Sequence, residues 1–355
     1  MERQGFIDWL KAVGMLAIVI GHIVGGPYDL FNLFSQPVYT KQLGVCFFIF
    51  IMGWSLANEH KSSFKVVFNR VFPVYFYGFL FALLLSSIYI FTINDINESN
   101  YLPFFLGVNV FFNYFPANPT TWYIGTYLHI LLFWFFFVRG HQITKKHLYI
   151  AIVAEISIRA LFLYLDKNFI AYMFLPNWLT VFMLGGYLFQ KKDTHWQPKI
   201  VMLVVVWAIA LALWASPLNT LISPKSFPFR QLMTNEEWAP VLRSCLISII
   251  YVVNTYVFFE IFRRLPKLAI VAFFARNSLI TFIIHMPLIY ALNQHVYSYF
   301  DAVWSKKLAL IIIIFVGTAI VSEIIQKFVK LGYFQRKAWD LSSKLVSAFP
   351  NKKDS

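Results

Sequence analysis

A lysine and a histidine stand eleven residues apart in the first apolar stretch of the chain, as Lys11 and His22 of WLKAVGMLAIVIGHI. Eleven helical residues make about three turns, so the two side chains share one helix face and stand roughly 16 Å apart along its axis. They cannot touch, but they can line one cavity. A neutral imidazole can accept a proton from an attacking hydroxyl near physiological pH, which makes His22 a candidate catalyst. Asp8, three residues before Lys11 on the same face, is a plausible ionic partner for that lysine.

The other ionisable groups within apolar stretches favour structural roles. Glu155 and Arg159 are four residues apart, in the order that lets the two side chains pair along a helix. His129 and His285 are lone histidines, and a lone buried histidine is more often a hydrogen-bonded packing residue than a catalyst. No group of His, Asp or Glu has metal-ligand spacing, and there is no Gly-rich phosphate loop. We therefore predict no metal and no bound cofactor.

These residues must be positioned by helices in a bilayer. Of the 355 residues, 59% are hydrophobic and 13% are charged, a balance far from that of a soluble domain. A helix needs roughly 20 mainly apolar residues to cross the hydrocarbon core, and such stretches recur along the whole chain. We predict an all-α polytopic bundle of about 10 transmembrane helices. They lie in residues 5–25, 38–57, 71–93, 119–138, 148–166, 171–190, 199–216, 241–262, 270–293 and 307–327.

The formal net charge of +14 indicates an orientation through its distribution. Lys and Arg gather in alternate connections and at the end of the chain, and such excess positive charge marks the cytoplasmic side. Both termini are therefore predicted to be cytoplasmic. Because the basic residues are scattered over loops rather than gathered on one soluble face, they argue against nucleic-acid binding. The basic segments are residues 59–70, 139–147, 190–199, 263–267 and the tail.

Two segments on the opposite side are long enough to matter for function. Residues 101–118 are apolar but short and broken by Pro103, Gly107 and Pro116, which predicts a re-entrant or interfacial element rather than a span. Residues 217–240 are polar and could form a lid or an acceptor-binding surface.

Five sequence blocks together resemble a known family. The first is a basic residue, ten residues and a histidine, here Lys11 to His22. The others are NRVFPVYF with Arg70, TTWYIGTYLHILL with Trp122 and Tyr123, FMLGGYLF, and RNSLITFIIHMPL with Asn277, Ser278 and His285. Over nearly its whole length the chain resembles the bacterial acyltransferase 3 membrane proteins, which O-acylate cell-surface carbohydrates. We assign residues 1–332 to such a transmembrane domain and 333–355 to a basic cytoplasmic tail.

The resemblance implies an O-acyltransferase that moves an acetyl or other short acyl group from cytosolic acyl-CoA to a sugar hydroxyl. His22 would act as base or carry the acyl group. Lys11, Arg70 and Lys65 would bind the donor's phosphates, with Lys65 substituting for an arginine that the family often has at the position of Val67. The residues expected to bind the acceptor or support the site are Asp8, Trp122, Tyr123, Asn277, Ser278 and His285.

The resemblance also implies the setting. The acceptor would be a surface polysaccharide or its lipid-linked precursor, and the protein would cross the bacterial plasma (inner) membrane several times, in contact with membrane lipid. Many relatives carry an added SGNH-type domain, and without one the chain would act alone or with polysaccharide-assembly proteins. The alternative is a transporter or flippase of a lipid-linked sugar, whose buried polar residues would line a path. Against it, the sequence shows no convincing inverted repeat.

Overall fold

The computed structural model describes residues 4–23, 32–33, 36–37, 40–59, 64–92, 101–112, 121–191, 199–215, 237–297 and 303–348. Within these ranges the chain is almost entirely helical, and the two-residue strands Asn32–Leu33 and Gln36–Pro37 form one short antiparallel pair. The predicted all-α membrane bundle is therefore confirmed.

The helices follow the apolar stretches of the sequence. In chain order they are α1 (Gly5–Ile23), α2 (Thr40–Ala57), α3 (Phe64–Thr92), α4 (Tyr101–Phe105), α5 (Asn109–Phe112), α6 (Trp122–Phe133), α7 (Lys145–Tyr164), α8 (Asn168–Met173), α9 (Leu179–Gln190), α10 (Ile200–Ala215), α11 (Ala239–Phe262), α12 (Ala269–Tyr297), α13 (Val303–Phe328) and α14 (Leu331–Ala348). A π-helical turn, Trp134–Val138, extends α6, and a 3-10 turn, Leu175–Trp178, leads into α9.

Within the described ranges, seven helices are long and apolar enough to cross a membrane. Three shorter apolar helices fall where the sequence predicts further spans: Lys41–Ala57, Trp122–Val138 and Ile200–Ala210. The total of ten spans and the cytoplasmic placement of both termini stay predictions.

The two segments singled out between spans are described only in part. Residues 101–112 form α4 and α5, which are separated by Gly107 at a φ of +72°, a conformation that favours glycine. They are therefore not a single span, while residues 113–118 lie outside the described ranges. Most of the predicted lid or acceptor surface, residues 217–236, also lies outside them.

Small residues let three central helices approach closely. Gly14 of α1 faces Gly44 of α2, Gly53 of α2 packs on Phe182 of α9, and Gly185 of α9 packs on Phe50 of α2. A β-carbon at Gly44, Gly53 or Gly185 would overlap the backbone of the neighbouring helix. Helices in lipid associate mainly through such close packing, because lipid tails are as apolar as the side chains that they replace. The block FMLGGYLF is thus the surface by which α9 packs on α2.

Contacts at one end of the bundle fix the directions of α1, α11 and α12. The indole Nε1 of Trp9 donates to the carbonyl oxygen of Pro266 at 2.9 Å, and its ring stacks on Phe262 with centroids 5.7 Å apart. The start of α1 therefore lies beside the end of α11 and the start of α12. It follows that α11 runs antiparallel to α1 and α12 runs parallel to it.

The predicted basic tail contains a helix that the sequence analysis did not identify. This helix, α14, packs on α3, where the rings of Trp339 and Phe68 have centroids 5.1 Å apart. Pro73, inside α3, has no N–H to bond the Asn69 carbonyl four residues back. Gln335 of α14 donates to that carbonyl at 3.3 Å and to the Asn69 Oδ1 at 2.9 Å. The proline thus frees an acceptor that α14 uses to dock.

Candidate active site

Four of the predicted site residues line one cavity of about 200 Å³ among α1, α2, α3, α6 and α12. They are Lys11, Arg70, Tyr123 and Ser278. The rest of the lining is mostly apolar and aromatic: Phe48, Ile51, Met52, Ser55, Val74, Tyr127, Leu279 and Phe282. Four of the five sequence blocks that carry the family resemblance therefore meet at this cavity, and they place two cations among mostly apolar and aromatic side chains.

The end of α2 holds Arg70 at this cavity. The Arg70 Nη1 donates to Oγ of Ser55 at 2.8 Å, and its Nη2 lies 3.8 Å from Oε2 of Glu59. A guanidinium has five N–H donors, so these contacts leave donors for another ligand. Arg70 is also only half-buried. The side chain is thus oriented by the protein and still able to bind an anion.

Tyr123 and Ser278 line the cavity from α6 and α12. The ring of Tyr123 lies 5.0 Å from that of Phe282 on α12, centroid to centroid. The hydroxyl of Ser278 donates to the carbonyl oxygen of Ala275 at 2.9 Å, so its oxygen keeps lone pairs that can accept.

His22 and His285 face each other, with ring centroids 5.1 Å apart. His285 is fully buried, and its Nδ1 lies 2.7 Å from the carbonyl oxygen of Phe282. A carbonyl oxygen can only accept, so Nδ1 carries the proton and Nε2 presents a lone pair. This Nε2 has no hydrogen-bond partner among the described residues. The sequence analysis treated His285 as a lone histidine, and the structure shows that it is not.

The histidine pair does not line the cavity that Lys11 lines, although the sequence analysis expected Lys11 and His22 to share one. Phe282 connects the two regions. Its side chain lines the cavity, its ring lies 5.8 Å from the ring of His285, and its carbonyl oxygen accepts from that histidine. The cavity and the pair are thus neighbouring parts of one region.

Two predicted acceptor or support residues lie in helix contacts. Trp122 stacks on Trp178, with centroids 6.1 Å apart and an angle of 18° between the rings. The Asn277 amide donates to Oε2 of Glu323 at 2.9 Å, and its Oδ1 accepts from Oγ of Ser322 at 2.8 Å. Asn277 therefore joins α12 to α13.

Lys65 and Asp8 are not among the residues that line the cavity. Lys65 is exposed, and its Nζ lies 5.4 Å from the ring centroid of Trp339 on α14. Asp8 is buried and lines a separate cleft with Trp9 and Lys267.

Three residues near the site were missed by the sequence analysis. Tyr127 lines the cavity one turn after Tyr123, and that four-residue spacing on one helix was a usable signal. Ser55 carries no signal in its sequence context. Lys41, to which the sequence analysis gave no role, lies at the start of α2, close enough to His22 for an electrostatic interaction.

The predicted pairing of Glu155 with Arg159 is confirmed at 2.6 Å, with both side chains fully buried. The described part of the chain contains no group of three or more His, Cys, Asp or Glu that could hold a metal ion.

Comparison with known proteins supplies the family. The family model of acyltransferase 3, described as an acyltransferase domain, matches residues 4–326, a range that contains every predicted site residue. No curated protein and no solved structure matches the chain. With its membrane-spanning helices, the matched range describes a multi-pass membrane acyltransferase, and the chain belongs to the acyltransferase 3 family.

Proposed function

We propose that the chain transfers an acetyl or other short acyl group from cytosolic acyl-CoA to a hydroxyl of a surface polysaccharide or of its lipid-linked precursor. The observation that carries this proposal is the cavity lined by Lys11 and Arg70, with the pair His22 and His285 beside it. Phosphate recognition needs cations, and acyl transfer needs a base or a nucleophile. Both kinds of group are present in one region.

Lys11 and Arg70 bind the donor's phosphates in this proposal. A guanidinium matches phosphate oxygens with parallel N–H bonds, and an ammonium adds a point charge. The cavity of about 200 Å³ is below the roughly 300–1,000 Å³ of pockets that enclose whole drug-sized ligands. It therefore takes the narrow pantetheine arm. His22 follows Lys11 by roughly 16 Å of helix, a span that this arm can bridge.

His22 then serves the acceptor. In direct transfer it takes the proton of the sugar hydroxyl while the hydroxyl oxygen attacks the thioester carbonyl carbon. The carbon–sulfur bond breaks, and the departing thiolate receives the proton. In the other route a ring nitrogen of His22 attacks the thioester carbonyl, the carbon–sulfur bond breaks, and CoA leaves as the thiol with the ring proton. The sugar hydroxyl then attacks the acyl carbon, the bond from that carbon to the ring nitrogen breaks, and the hydroxyl proton returns to the ring. We favour direct transfer, because it needs a single displacement.

The acceptor approaches from the end of α1 that carries His22. Trp122 and Tyr123 supply aromatic rings on which a sugar can stack, although Trp122 is engaged with Trp178. In this proposal the protein lies in the bacterial inner membrane and acts beside polysaccharide-assembly proteins.

The experiment that tests the function is acyl transfer by the purified protein. Detergent-purified chain, acetyl-CoA labelled in the acetyl group and surface glycan from a strain lacking the protein should yield labelled glycan. Omitting the protein or replacing the acceptor with buffer should abolish the signal. If no acyl-CoA gives transfer, while liposomes containing the protein move a lipid-linked sugar across the bilayer, the chain is a flippase.

The proposed orientation can be tested at the two ends of α7. Lys145, which begins the helix, and Lys167, which follows it, are both exposed. In a background with Cys46 and Cys245 replaced by serine, a cysteine at position 167 should react with an impermeant reagent in intact cells. A cysteine at position 145 should react only after lysis, because positive loops stay in the cytoplasm. The opposite pattern would reverse the orientation.

The donor site can be tested at Arg70. Arg70→Ala should raise the KM for acyl-CoA by about 10- to 100-fold, because a hydrogen bond to a charged group contributes about 1.5–3 kcal/mol. The KM for the acceptor should change far less. Arg139→Ala, which removes a guanidinium stacked on Phe135, is the matched control. An unaltered KM for acyl-CoA in Arg70→Ala would remove this residue from the donor site.

A further inference from the structure

The proposed reaction gives no role to one buried arginine, Arg243. Arg243, in the second turn of α11, is fully buried. None of its three guanidinium nitrogens has a hydrogen-bond partner within the described ranges. Its guanidinium carbon lies 5.6 Å from the ring centroid of Tyr172. Five N–H donors and a full positive charge are therefore buried without an acceptor from the described part of the chain.

Arg159 of α7, which packs on α11, is a buried arginine whose donors are all occupied by acceptors. It makes five hydrogen bonds: to Asn177 Oδ1 and O, to Ser244 O, to Ser248 Oγ and to Glu155 Oε1. Its charge is balanced by the buried Glu155 carboxylate. Arg243 stands next to Ser244 in the chain, yet its guanidinium has no hydrogen-bond partner among the described residues. The contrast rules out a general shortage of acceptors around α11 as the cause.

A lone buried charge is expensive, and in a membrane protein it marks a functional site by default. The ring of Tyr172 offers only a weak cation–π attraction, which does not neutralise a charge. Water can accept hydrogen bonds but brings no negative charge. The missing partner is therefore an anion with oxygen acceptors, and a guanidinium fits a carboxylate or phosphate in a two-pronged geometry.

The position of Arg243 indicates which substrate brings that anion. Because α11 runs antiparallel to α1, Arg243 lies toward the end of the bundle that carries His22. The cations proposed for the donor's phosphates, Lys11 and Arg70, line the separate cavity. The predicted orientation also puts Arg243 near the outer face, where positive residues are otherwise sparse.

We propose that Arg243 is an anion-binding site for a carboxylate or phosphate group carried by the acceptor. The oxyanion pairs with the guanidinium fork, so that the enzyme prefers an acidic glycan, or one linked through phosphate, over a neutral one. The site itself rests on the unpartnered guanidinium. The identity of its carrier rests on the proposed function.

The test measures binding without any acyl donor. Full-length protein in neutral detergent is titrated with glucuronate, with glucose as the neutral control and inorganic phosphate as the free-anion arm, and thermal unfolding is followed. Nanodiscs of phosphatidylglycerol or phosphatidylcholine supply the lipid arm. Glucuronate should raise the melting temperature and glucose should not. Arg243→Met should weaken glucuronate binding by at least about tenfold, while Arg139→Met should bind normally.

The ligand-free proteins provide a second readout. Arg243→Met should melt no lower than wild type, because it removes a charge that nothing balances. Substantially lower stability would show that Arg243 has a structural partner, and would overturn the proposal. A rise in melting temperature with phosphate or phosphatidylglycerol alone, lost in Arg243→Met, would support the anion site but show that the anionic group belongs to a molecule other than an acidic sugar. Equal responses in wild type and variant, or no response in any arm, would also overturn it.

The same measurements separate this site from the proposed reaction. Anion binding that depends on Arg243, in a protein that transfers no acyl group, would leave the site standing and reject the proposed function. If transfer is observed, Arg243→Met should raise the KM for an acidic acceptor and leave the KM for acyl-CoA unchanged.

Discussion

Replacing His22 with alanine is expected to reduce glycan acylation by at least about 100-fold while the protein stays folded in the membrane. A positioned base contributes about 10²- to 10⁴-fold to a rate. If His22 instead carries the acyl group, its loss removes the two-step route altogether. The side chain is only partly buried near the end of α1, beside His285, so its loss removes reactive chemistry more than packing. The measurement is the initial rate of acetyl transfer at saturating acetyl-CoA, normalised to protein in the membrane.

Two further variants make the result interpretable. His22→Gln keeps hydrogen bonding and approximate size but cannot act as a base near neutral pH, so it should be as inactive as His22→Ala. His129→Ala is the matched control. His129 lies in α6 against Phe111 and Phe174, with ring centroids 5.6 and 5.7 Å away, and its loss should change the rate by less than about threefold. Normal acylation by His22→Gln would make His22 structural and refute the mechanism.

The fold and the cation cavity were predictable from local patterns. Composition and apolar length place the helices, since lipid forces the backbone to bond within each span. The block around Arg70 predicts a donor contact, and the structure brings Arg70 and Lys11 to one cavity. The block FMLGGYLF, used only as part of the family resemblance, contains Gly185, which supplies a close contact with α2. In each case a short stretch of sequence carries the information.

The misplaced residues depend on contacts between distant parts of the chain. Lys65 precedes Arg70 by little more than one turn, yet α14 brings Trp339 to it. His285 looks isolated in the sequence because its neighbour His22 is at the opposite end of the chain. Only the parallel packing of α12 on α1 joins them. Helical periodicity in the sequence shows which residues share a helix face, but it does not show which other helix that face contacts.

The second large effect is expected at His285, which we infer positions His22. The Phe282 carbonyl fixes the proton on Nδ1 of His285. The Nε2 lone pair is therefore buried, and it accepts no hydrogen bond from the described residues. The ring of His22 is the neighbouring group that can donate to it, at a centroid separation of 5.1 Å. When His22 takes a proton from the acceptor, its ring becomes a cation and both nitrogens become donors. A lone pair at Nε2 of His285 then stabilises the state that forms during transfer.

This role predicts a loss in kcat rather than in substrate binding. A hydrogen bond to a charged partner contributes about 1.5–3 kcal/mol, so His285→Phe should lower kcat by about 10- to 100-fold. The KM for acyl-CoA and the KM for the acceptor should change little, because neither substrate binds His285 in this scheme. His285→Phe keeps an aromatic ring in the packed site and removes both nitrogens. A loss of kcat in this variant can therefore be assigned to the missing hydrogen bonds rather than to lost packing.

His285→Gln provides the rescue that distinguishes positioning from packing. Its amide oxygen can replace the Nε2 acceptor, and we expect it to recover part of the kcat that His285→Phe loses. Acyl-CoA binding by each purified variant checks that the donor cavity is intact. Equal activity in His285→Phe and wild type would show that the ring is packing alone. Equal losses in the phenylalanine and glutamine variants, together with weaker acyl-CoA binding, would show that His285 supports the fold. A kcat defect that glutamine partly restores is the result that only a hydrogen-bonding partner of His22 produces.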